Sequence, residues 1–306
     1  MIPLFLSLVL LAAAVPPDES AAIPLTPGIF WTVDRMDDLA CISHQASSRS
    51  RRDPVVSGHS DQSRWSRCRS IVEDGDGRKG PRQQENRRLQ QKAGEKCRLK
   101  VHIIRVRPGA ARWRFIRGTK GASVEVADLP VADRPLVAIN GGYFDTDGTP
   151  MGLMVHDGKE LNPLRKADWG ILWIDREGRG HLHHRRDFRW PRWKKKVDFA
   201  VECGPRVLVA GRPTGVHPGA ARRTLIGVRR DGDLLLAVFP TRVDLQDAGR
   251  WLHEVWQVEQ LLNLDGGSST QLALQEGDRW RTLEAGVPVP TLIGLFPSVE
   301  ESGKED

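Results

Sequence analysis

The sequence predicts an α+β fold, in which a few helices accompany a mostly antiparallel or mixed β-sheet within a single domain. Three observations predict it. Short runs of alternating apolar and polar residues, such as R-L-K-V-H-I-I-R-V at 98–106, recur along the chain and are typical of half-buried strands. Glycine turns such as Asp157-Gly158 separate several of these runs, as in β-hairpins. The clearest helical spacing of apolar residues lies at 246–258.

Alternating runs predict strands with one buried face, and mainly apolar runs predict strands buried on both faces. Arg134–Asn140 is of the second kind. Gln246–Val258 has the apolar residues Ala248, Leu252, Val255 and Trp256 at helical spacing. The predicted strands, in order, cover 28–33, 98–106, 111–118, 122–128, 134–140, 151–156, 169–175, 197–209, 224–228, 234–239, 261–264 and 291–296.

The chain starts with an apolar run, M-I-P-L-F-L-S-L-V-L-L-A-A-A, that is too short to span a bilayer comfortably. Small residues follow it, as after the apolar core of a signal peptide. We therefore interpret 1–20 as a signal peptide and expect export to the periplasm or the cell exterior, with no stable membrane span after cleavage. The run lacks the expected Lys or Arg, so a misassigned start codon or a membrane-associated N-terminus is the alternative.

The net charge of +7 lies within 35–100, whereas the rest of the chain is balanced. A linker and the first strand occupy 21–35, and from 36 to 96 Ser, Arg, Gln and Gly dominate with little apolar periodicity. Such a composition buries too little apolar surface to offset chain entropy, so we expect 36–96 to be a disordered insertion. A tether for anionic polymers is the alternative. The lack of interleaved aromatic residues, apart from Trp65, argues against nucleic-acid binding. The last residues, 298–306, form an acidic tail.

The four cysteines are Cys41, Cys68, Cys97 and Cys203, and they contain no C-x-x-C pair, which argues against a zinc ribbon. In an exported protein they would permit disulfides, with three connectivities open. Cys203 lies in an apolar run, so we expect it to be a small buried side chain.

Two segments of similar pattern carry the functional signal. One is V-A-I-N-G-G-Y-F at 137–144, and the other is L-N-L-D-G-G-S-S-T at 262–270. Each has the pattern of a buried strand that ends on Asn or Asp before two glycines. Paired glycines allow positive φ and close approach of a ligand, and successive amides form a concavity suited to anions. A hairpin turn uses the same letters, but two such ends in one domain favour an anion-binding site.

Together with C-G-P-R-V-L-V at 203–209 and R-R-T-L-I-G-V at 222–228, these segments follow an order that resembles the phosphodiester glycosidase family. The resemblance covers 97–297. Gly28–Val33 is similar to the strand that opens the family's domain, which makes 36–96 an insertion. The resemblance implies a single catalytic domain that cleaves the sugar–oxygen bond of a glycosyl-1-phosphodiester, such as an N-acetylglucosamine-1-phosphodiester, and releases sugar and a phosphomonoester.

Such a reaction needs a carboxylate as base or nucleophile, a cation on the phosphate and donors around the oxyanion. Asp265 is the first candidate for the carboxylate, with capping of its own loop as the alternative. Glu202 is the second candidate. Asp247, where the resemblance implies an acidic residue at the start of a helix, is the third, and favouring the helix N-terminus is its alternative role.

Arg223 is the candidate phosphate ligand because its planar guanidinium matches phosphate geometry. Arg222 is expected to point to the opposite face of the strand and to be solvated. Tyr143 either walls the sugar site or lies in the core, and Thr224 is more often a strand residue than a ligand. The predicted substrate-binding residues are Asn140, Gly141, Gly142, Tyr143, Arg223, Thr224, Gly266, Gly267, Ser268, Ser269 and Thr270.

The chain has carboxylates enough for Ca²⁺ or Mg²⁺, but no stretch has the ligand spacing of an EF-hand loop. Asp145 is either a metal or sugar ligand or part of an ordinary D-T-D-G turn. A serine hydrolase built on Ser268 and His253 is disfavoured because G-x-S-x-G is absent. A non-catalytic glycan-binding protein of the envelope is the alternative function, since it would need no acid. The expected partner is a small or polymeric sugar phosphate, such as an exopolysaccharide.

Overall fold

A computed structural model of the chain describes residues 22–37, 98–118, 122–190 and 192–298. The predicted signal peptide, the basic insertion and the acidic tail, with Cys41, Cys68 and Cys97, lie outside the described residues except at their edges. The fold below belongs to one structural unit, because the other unit, 37–98, contributes only its two end residues to the description. No helix in the described ranges is long and apolar enough to cross a bilayer.

Among the described residues the chain forms 18 strands and one α-helix, α1 (Leu245–Trp256). The predicted α+β fold with a mostly antiparallel sheet core is therefore confirmed. Short 3-10 helices cover Val126–Asp128, Val131–Asp133 and Gly267–Ser269. The strands, in chain order, are β1 (Ile23–Thr26), β2 (Ile29–Asp37), β3 (Arg98–Val106), β4 (Ala111–Arg117), β5 (Val137–Asn140), β6 (Met154–His156), β7 (Lys159–Asn162), β8 (Gly170–Asp175), β9 (Gly180–His184), β10 (Val197–Cys203), β11 (Arg206–Val209), β12 (Arg212–Pro213), β13 (Ala221–Arg229), β14 (Leu234–Val243), β15 (Val258–Asn263), β16 (Leu272–Glu276), β17 (Arg279–Leu283) and β18 (Thr291–Pro297).

The strands form three sheets. The first has the order β1-β2-β3-β14-β13-β15-β11-β12, the second β7-β6-β10-β8-β9, and the third β17-β16-β5-β18-β4. Apolar side chains from all three meet in one core, for example Ile226 of the first sheet, Phe199 of the second and Ile293 of the third. Burial of each such side chain contributes about 2 kcal/mol of hydrophobic free energy, so this shared core holds the three sheets together.

The helix α1 covers the opposite face of the first sheet. Its buried residues Ala248, Leu252 and Trp256 share the helical face that the sequence predicted, and they pack in a cluster with Leu225 of β13. The Asp244 side chain accepts from the Gln246 amide and so caps the N-terminus. The helix ends two residues earlier than predicted because Gln257 adopts the left-handed conformation, with φ 55°.

The strand predicted at 122–128 is wrong. The structure has an irregular segment there that ends in the 3-10 helix Val126–Asp128. The apolar residues Val124 and Val126 are buried, as alternation requires, and the Val124 amide donates to the Val289 carbonyl at 3.0 Å. Among the described residues no β-ladder continues from that bond, so alternating burial is satisfied without a β-strand.

Loops at the ends of three strands, one from each sheet, carry the candidate site. In the third sheet β5 ends at Asn140, in the first β15 ends at Asn263, and in the second β10 ends just before Gly204. The Asp265 amide, just past β15, donates to the Gly141 carbonyl at 3.3 Å. The Asn263 side chain donates to the Gly204 carbonyl at 3.0 Å. These bonds bring the three strand ends together at the junction of the sheets.

Candidate active site

Asn140 is the polar centre of this junction and is fully buried. Its Nδ2 donates to the Asp265 carbonyl at 2.7 Å, which ties β5 to the loop after β15. Its Oδ1 accepts from the Thr224 hydroxyl at 2.6 Å and from the Gln271 amide at 3.2 Å. The prediction that Asn140 and Thr224 bind substrate is therefore not supported by their geometry, because both side chains are buried and bonded to each other. They instead hold together the loop after β5 and the loop after β15.

Replacement of Asn140 by leucine is expected to lower the free energy of unfolding by about 2–4 kcal/mol, because three buried polar groups lose their partner. Urea unfolding measures the loss. Thr224→Val is the matched control, since it removes only one of the three bonds and keeps the side chain's shape. It should cost about 1 kcal/mol. An Asn140→Leu protein as stable as wild type would contradict the assigned role.

The glycines of the two loops are needed mainly for close packing. A Cβ on Gly141 would lie 3.1 Å from the Thr291 carbonyl oxygen, and one on Gly266 would lie 2.9 Å from the Arg222 carbonyl oxygen. Positive φ, expected for the glycine pairs, occurs only at Gly267 among the four, with φ 61°. The glycine pairs in the sequence therefore located the two loops correctly. Positive φ, however, is not the reason for glycine at Gly141, Gly142 and Gly266.

Only some of the loop amides remain for a ligand. The Gly141 amide donates to the Thr291 carbonyl at 2.9 Å, and the Gly266 amide donates to Asp265 Oδ1 at 2.8 Å. Both were predicted to bind substrate and are occupied by the protein itself. In the described part of the chain, the amides of Gly142, Gly267 and Ser268 have no protein acceptor. These three are among the loop amides that remain available to an oxyanion.

Asp265 is a partly buried carboxyl group at the start of the loop after β15, which is the second of the two glycine loops. Burial raises its pKa, and the side chain of Ser269 and the amide of Gly266 oppose that shift. The capping role foreseen for Asp265 is real, since its Oδ1 accepts from the Gly266 amide. The Gly266 amide and the Ser269 side chain use part of the carboxylate's acceptor capacity, and the rest is left for a proton or a ligand.

Tyr143 lies near enough to Asp265 and Arg223 for both charges to affect its pKa. Burial raises the pKa of its hydroxyl, the negative charge of Asp265 raises it further, and the positive charge of Arg223 opposes the shift. The hydroxyl donates to the Gly204 carbonyl at 2.6 Å and accepts from Asn263 Nδ2 at 3.1 Å. The half-buried Tyr143 side chain lies near both charged groups and also packs against the shared core, so it has features of both roles expected for it.

Asn263 and Trp169 contact Tyr143, and the sequence reasoning missed both. Asn263 bridges the Tyr143 hydroxyl and the loop after β10. The Trp169 ring lies 5.3 Å from the Tyr143 ring, centroid to centroid. The high tryptophan content was a usable signal for a sugar platform. It gave no position, because Trp169 meets Tyr143 only through the folding of separate sheets.

Arg222 and Arg223 are neighbours on β13, where the pairing with β14 is irregular, and their guanidinium groups have different partners. Arg223 Nε donates to the Val243 carbonyl at 3.4 Å and its Nη2 to the Gly219 carbonyl, and burial lowers its pKa. The expectation that Arg222 is solvated is wrong. Its Nη2 donates to the carbonyl of Thr270 at 2.6 Å, so it anchors the loop that carries Asp265.

The hydroxyl residues of the second loop differ in exposure. Ser268 is exposed, Ser269 is buried beside Asp265, and Thr270 is fully buried with no hydrogen-bond partner for its hydroxyl among the described residues. Only Ser268 can therefore meet a ligand without rearrangement. A cavity of about 580 Å³ adjoins this loop, lined in part by Gln271 and Gly286, whose amide donates to the Ser268 carbonyl at 2.6 Å.

Glu202 and Asp247, the other candidate carboxylates, have other contacts. Glu202 is buried, its Oε2 accepts from the amides of Leu153 and Arg165 at 2.8 Å each, and burial raises its pKa. Asp247 lies in the first turn of α1, 3.3 Å from Arg250 Nη1. Neither side chain bonds to the Asp265 loop among the described residues, but Glu202 lies close enough that its charge and the charge of Asp265 both raise the pKa of Cys203.

Three further sequence expectations concern reactive or metal-binding groups. Cys203 is a free, buried side chain, as predicted, and burial raises its pKa to about 12. Asp145 accepts from the Thr146 amide at 2.8 Å, which fits the turn alternative. His253 Nδ1 lies 3.0 Å from the Val258 carbonyl oxygen. No group of three or more His, Cys, Asp or Glu side chains in the described ranges could hold a metal ion.

Comparison with known proteins places the chain in a family. The family model described as phosphodiester glycosidase matches residues 133–296. This match spans more than half of the 306 residues and includes both glycine loops and Arg223. The chain belongs to the phosphodiester glycosidase family. The expectation drawn from the four sequence motifs is thereby confirmed.

Two relatives show how far the similarity extends. This phosphodiester glycosidase family member is 26% identical over 185 residues to the uncharacterized protein YigE of Escherichia coli (strain K12), covering 55% of this chain and 72% of that protein. A solved structure similar to it is the catalytic domain of zebrafish N-acetylglucosamine-1-phosphodiester alpha-N-acetylglucosaminidase, at 18% identity and a TM-score of 0.53. That match covers 65% of this chain and 77% of the zebrafish chain. At such low identity, the likeness shows a common fold.

Proposed function

We propose that this protein hydrolyses a glycosyl-1-phosphodiester at the sugar–oxygen bond and releases a sugar and a phosphomonoester. The observation that carries the proposal is the partly buried Asp265 carboxyl, with a raised pKa, in a loop whose Gly267 and Ser268 amides are unused. By its name, the zebrafish enzyme acts on an N-acetylglucosamine-1-phosphodiester. Together with family membership, this supports the same class of substrate here.

In the proposed reaction, a water molecule attacks C1 of the sugar while the Asp265 carboxylate accepts a proton from it. The C1–O bond breaks, and its electron pair stays on the phosphate oxygen, which leaves as a phosphomonoester. The proton on Asp265 then passes to bulk water. Arg223 stabilises the negative charge of the phosphate, and the amides of Gly142 and Gly267 donate to the phosphate oxygens. The leaving group is weakly basic, so no second carboxyl group is required.

The direct test is a panel of synthetic sugar-1-phosphodiesters that differ in the sugar. Free sugar and phosphomonoester are measured together, and equal release of both from at least one substrate supports the proposal. Binding of glycans without release from any of them, with Asp265→Asn binding equally well, would favour the non-catalytic glycan-binding protein instead.

We also propose that the substrate is met outside the cytoplasm, on envelope or exopolysaccharide glycans. The support is the apolar run at 1–14, which has the character of a signal-peptide core. Fractionation of cells that express the full chain tests this. A shortened protein in the periplasm or medium is expected, and full-length protein confined to the cytoplasm would contradict it.

The catalytic rate should depend on the ionisation of Asp265. Burial raises its folded-state pKa above the ordinary aspartate value of about 3.9. The carboxylate that accepts the proton is therefore lost at a higher pH than for an exposed aspartate, and kcat/KM should fall with the uptake of one proton as pH decreases through that pKa. A profile that stays flat down to about pH 4 would contradict the role of Asp265 as the base.

A further inference from the structure

A second feature lies on the second sheet, in the segment that joins β9 to β10. It forms a cleft of about 390 Å³, here called the arginine cleft and defined by Arg185, Arg186, Arg189, Arg192 and Trp190. Arg186, Arg189 and Arg192 are exposed, and Arg185 and Trp190 are half-buried. None of the residues proposed for catalysis lines it.

The cleft is strongly positive. Between 185 and 196, seven of twelve residues are Lys or Arg and one is acidic, Asp187. Its four arginines form no ion pair within 4.0 Å with any carboxylate in the described ranges. Guanidinium groups that are not paired with a carboxylate bind phosphate well, since each presents several donors in a planar fork.

An aromatic surface accompanies the charge. The Trp190 ring is stacked on Phe188, with 6.3 Å between centroids and 8° between planes. The Trp190 indole nitrogen donates to Glu160 Oε2, which fixes the orientation of the ring and keeps that carboxylate occupied. A fixed, half-exposed tryptophan beside arginines offers a face to a sugar ring and donors to the phosphate next to it.

The cleft is connected to the candidate active site through Trp169. The Arg185 amide donates to the Trp169 carbonyl at 3.0 Å, and the Trp169 ring contacts Tyr143. Arg165 lies over the Trp169 ring, 5.5 Å from its centroid, and its carbonyl accepts from Arg185 Nε at 2.9 Å. Ring contacts and hydrogen bonds, two of them to backbone carbonyls, thus link Tyr143 to Arg185 through Trp169 and Arg165.

We propose that the arginine cleft binds a further sugar-phosphate unit of the substrate, which makes the substrate a polyanionic glycan with repeated phosphodiester links. The inference rests on the proposed function only in assigning the first unit to the Asp265 loop. Trp190 stacks on the sugar of the further unit, and Arg186, Arg189 and Arg192 bind its phosphate. A neutral polysaccharide would make no use of the positive charge of these arginines.

The test is binding of a fluorescent oligomer of three N-acetylglucosamine-1-phosphate units, using full-length Asp265→Asn protein so that the probe stays intact. Combined Arg186→Gln, Arg189→Gln and Arg192→Gln changes should weaken its binding at least about tenfold at low salt and reduce the salt dependence of binding. The single-unit diester should bind as before. The matched control removes the same charge elsewhere, through Arg112→Gln, Arg212→Gln and Arg279→Gln, and should leave oligomer binding unchanged.

Equal losses in the cleft variant and the control, or no loss in either, would overturn the inference. Single-stranded DNA or phosphatidylglycerol vesicles bound as tightly through the same arginines would also overturn it, in favour of those polyanions. The two proposals fail separately. If wild type cleaves the single-unit diester but the cleft variant binds the oligomer normally, only the cleft inference fails. If nothing is cleaved but the cleft variant loses the oligomer, only the proposed hydrolysis fails.

Discussion

Replacement of Asp265 by asparagine is expected to lower the rate of glycosyl-1-phosphodiester hydrolysis by about 10²–10⁴-fold, the contribution of a positioned general base. Asparagine keeps the size of the side chain and an oxygen that can accept from the Gly266 amide, so the loop should keep its conformation. It cannot accept the proton from the attacking water. Single-turnover assays measure the loss, and Asp278→Asn, an exposed carboxyl in the β16–β17 turn, is the matched control.

The same replacement should stabilise the folded protein at neutral pH, by about 1 kcal/mol. Because the folded-state pKa of Asp265 is raised, the folded protein binds the proton more tightly than the unfolded chain. Wild-type stability therefore falls as pH rises from the unfolded-state pKa through the folded-state pKa. The asparagine variant has no such loss, so its advantage should shrink in acid. An Asp265→Asn protein that is both active and no more stable at pH 7 would refute the assignment.

Replacement of Arg223 by alanine is expected to raise KM for the phosphodiester by about 10–100-fold, the value of a charged hydrogen bond to phosphate. Lysine should recover part of this loss, since it restores the charge without the planar fork. Guanidinium ion added to Arg223→Ala should restore binding further. Michaelis–Menten measurements at two salt concentrations give the size of the effect.

Arg222 provides the contrast for that experiment. Its guanidinium holds the Thr270 and Glu284 carbonyls, at 2.6 and 3.0 Å. Arg222→Ala should therefore lower the free energy of unfolding by about 1–3 kcal/mol. Added guanidinium ion should leave the KM of this variant unchanged. An unchanged KM in Arg223→Ala, or a KM rise confined to Arg222→Ala, would transfer the phosphate-binding role to Arg222.

The sequence was informative where the signal is local. Alternation gave most strands, apolar spacing gave the buried face of α1, and two strand ends with paired glycines located the loops that meet at Asp265. The strand at 122–128 failed because alternation reports burial, whereas a strand also needs a neighbour to bond with. Gln257 ended α1 earlier than predicted through its left-handed backbone, for which the sequence carries no glycine signal.

The roles of individual site residues were harder to predict because they depend on contacts between separate sheets. Asn140 looked like a ligand until Thr224 and Gln271 used its side chain. Arg222 looked solvated because strand alternation places it opposite Arg223, but the loop after β15 covers that face. The arginine cleft escaped notice because the charge outside 35–100 sums to zero, and a balanced total conceals a local cluster.

The central claim is that the sugar–oxygen bond is the bond that breaks, and hydrolysis in water enriched in oxygen-18 tests it most directly. The products of a sugar-1-phosphodiester from the panel are separated and weighed by mass spectrometry. We predict that the label enters the C1 hydroxyl of the released sugar and that the phosphomonoester stays unlabelled. Label in the phosphate would show cleavage of the phosphorus–oxygen bond and would contradict the glycosidase mechanism.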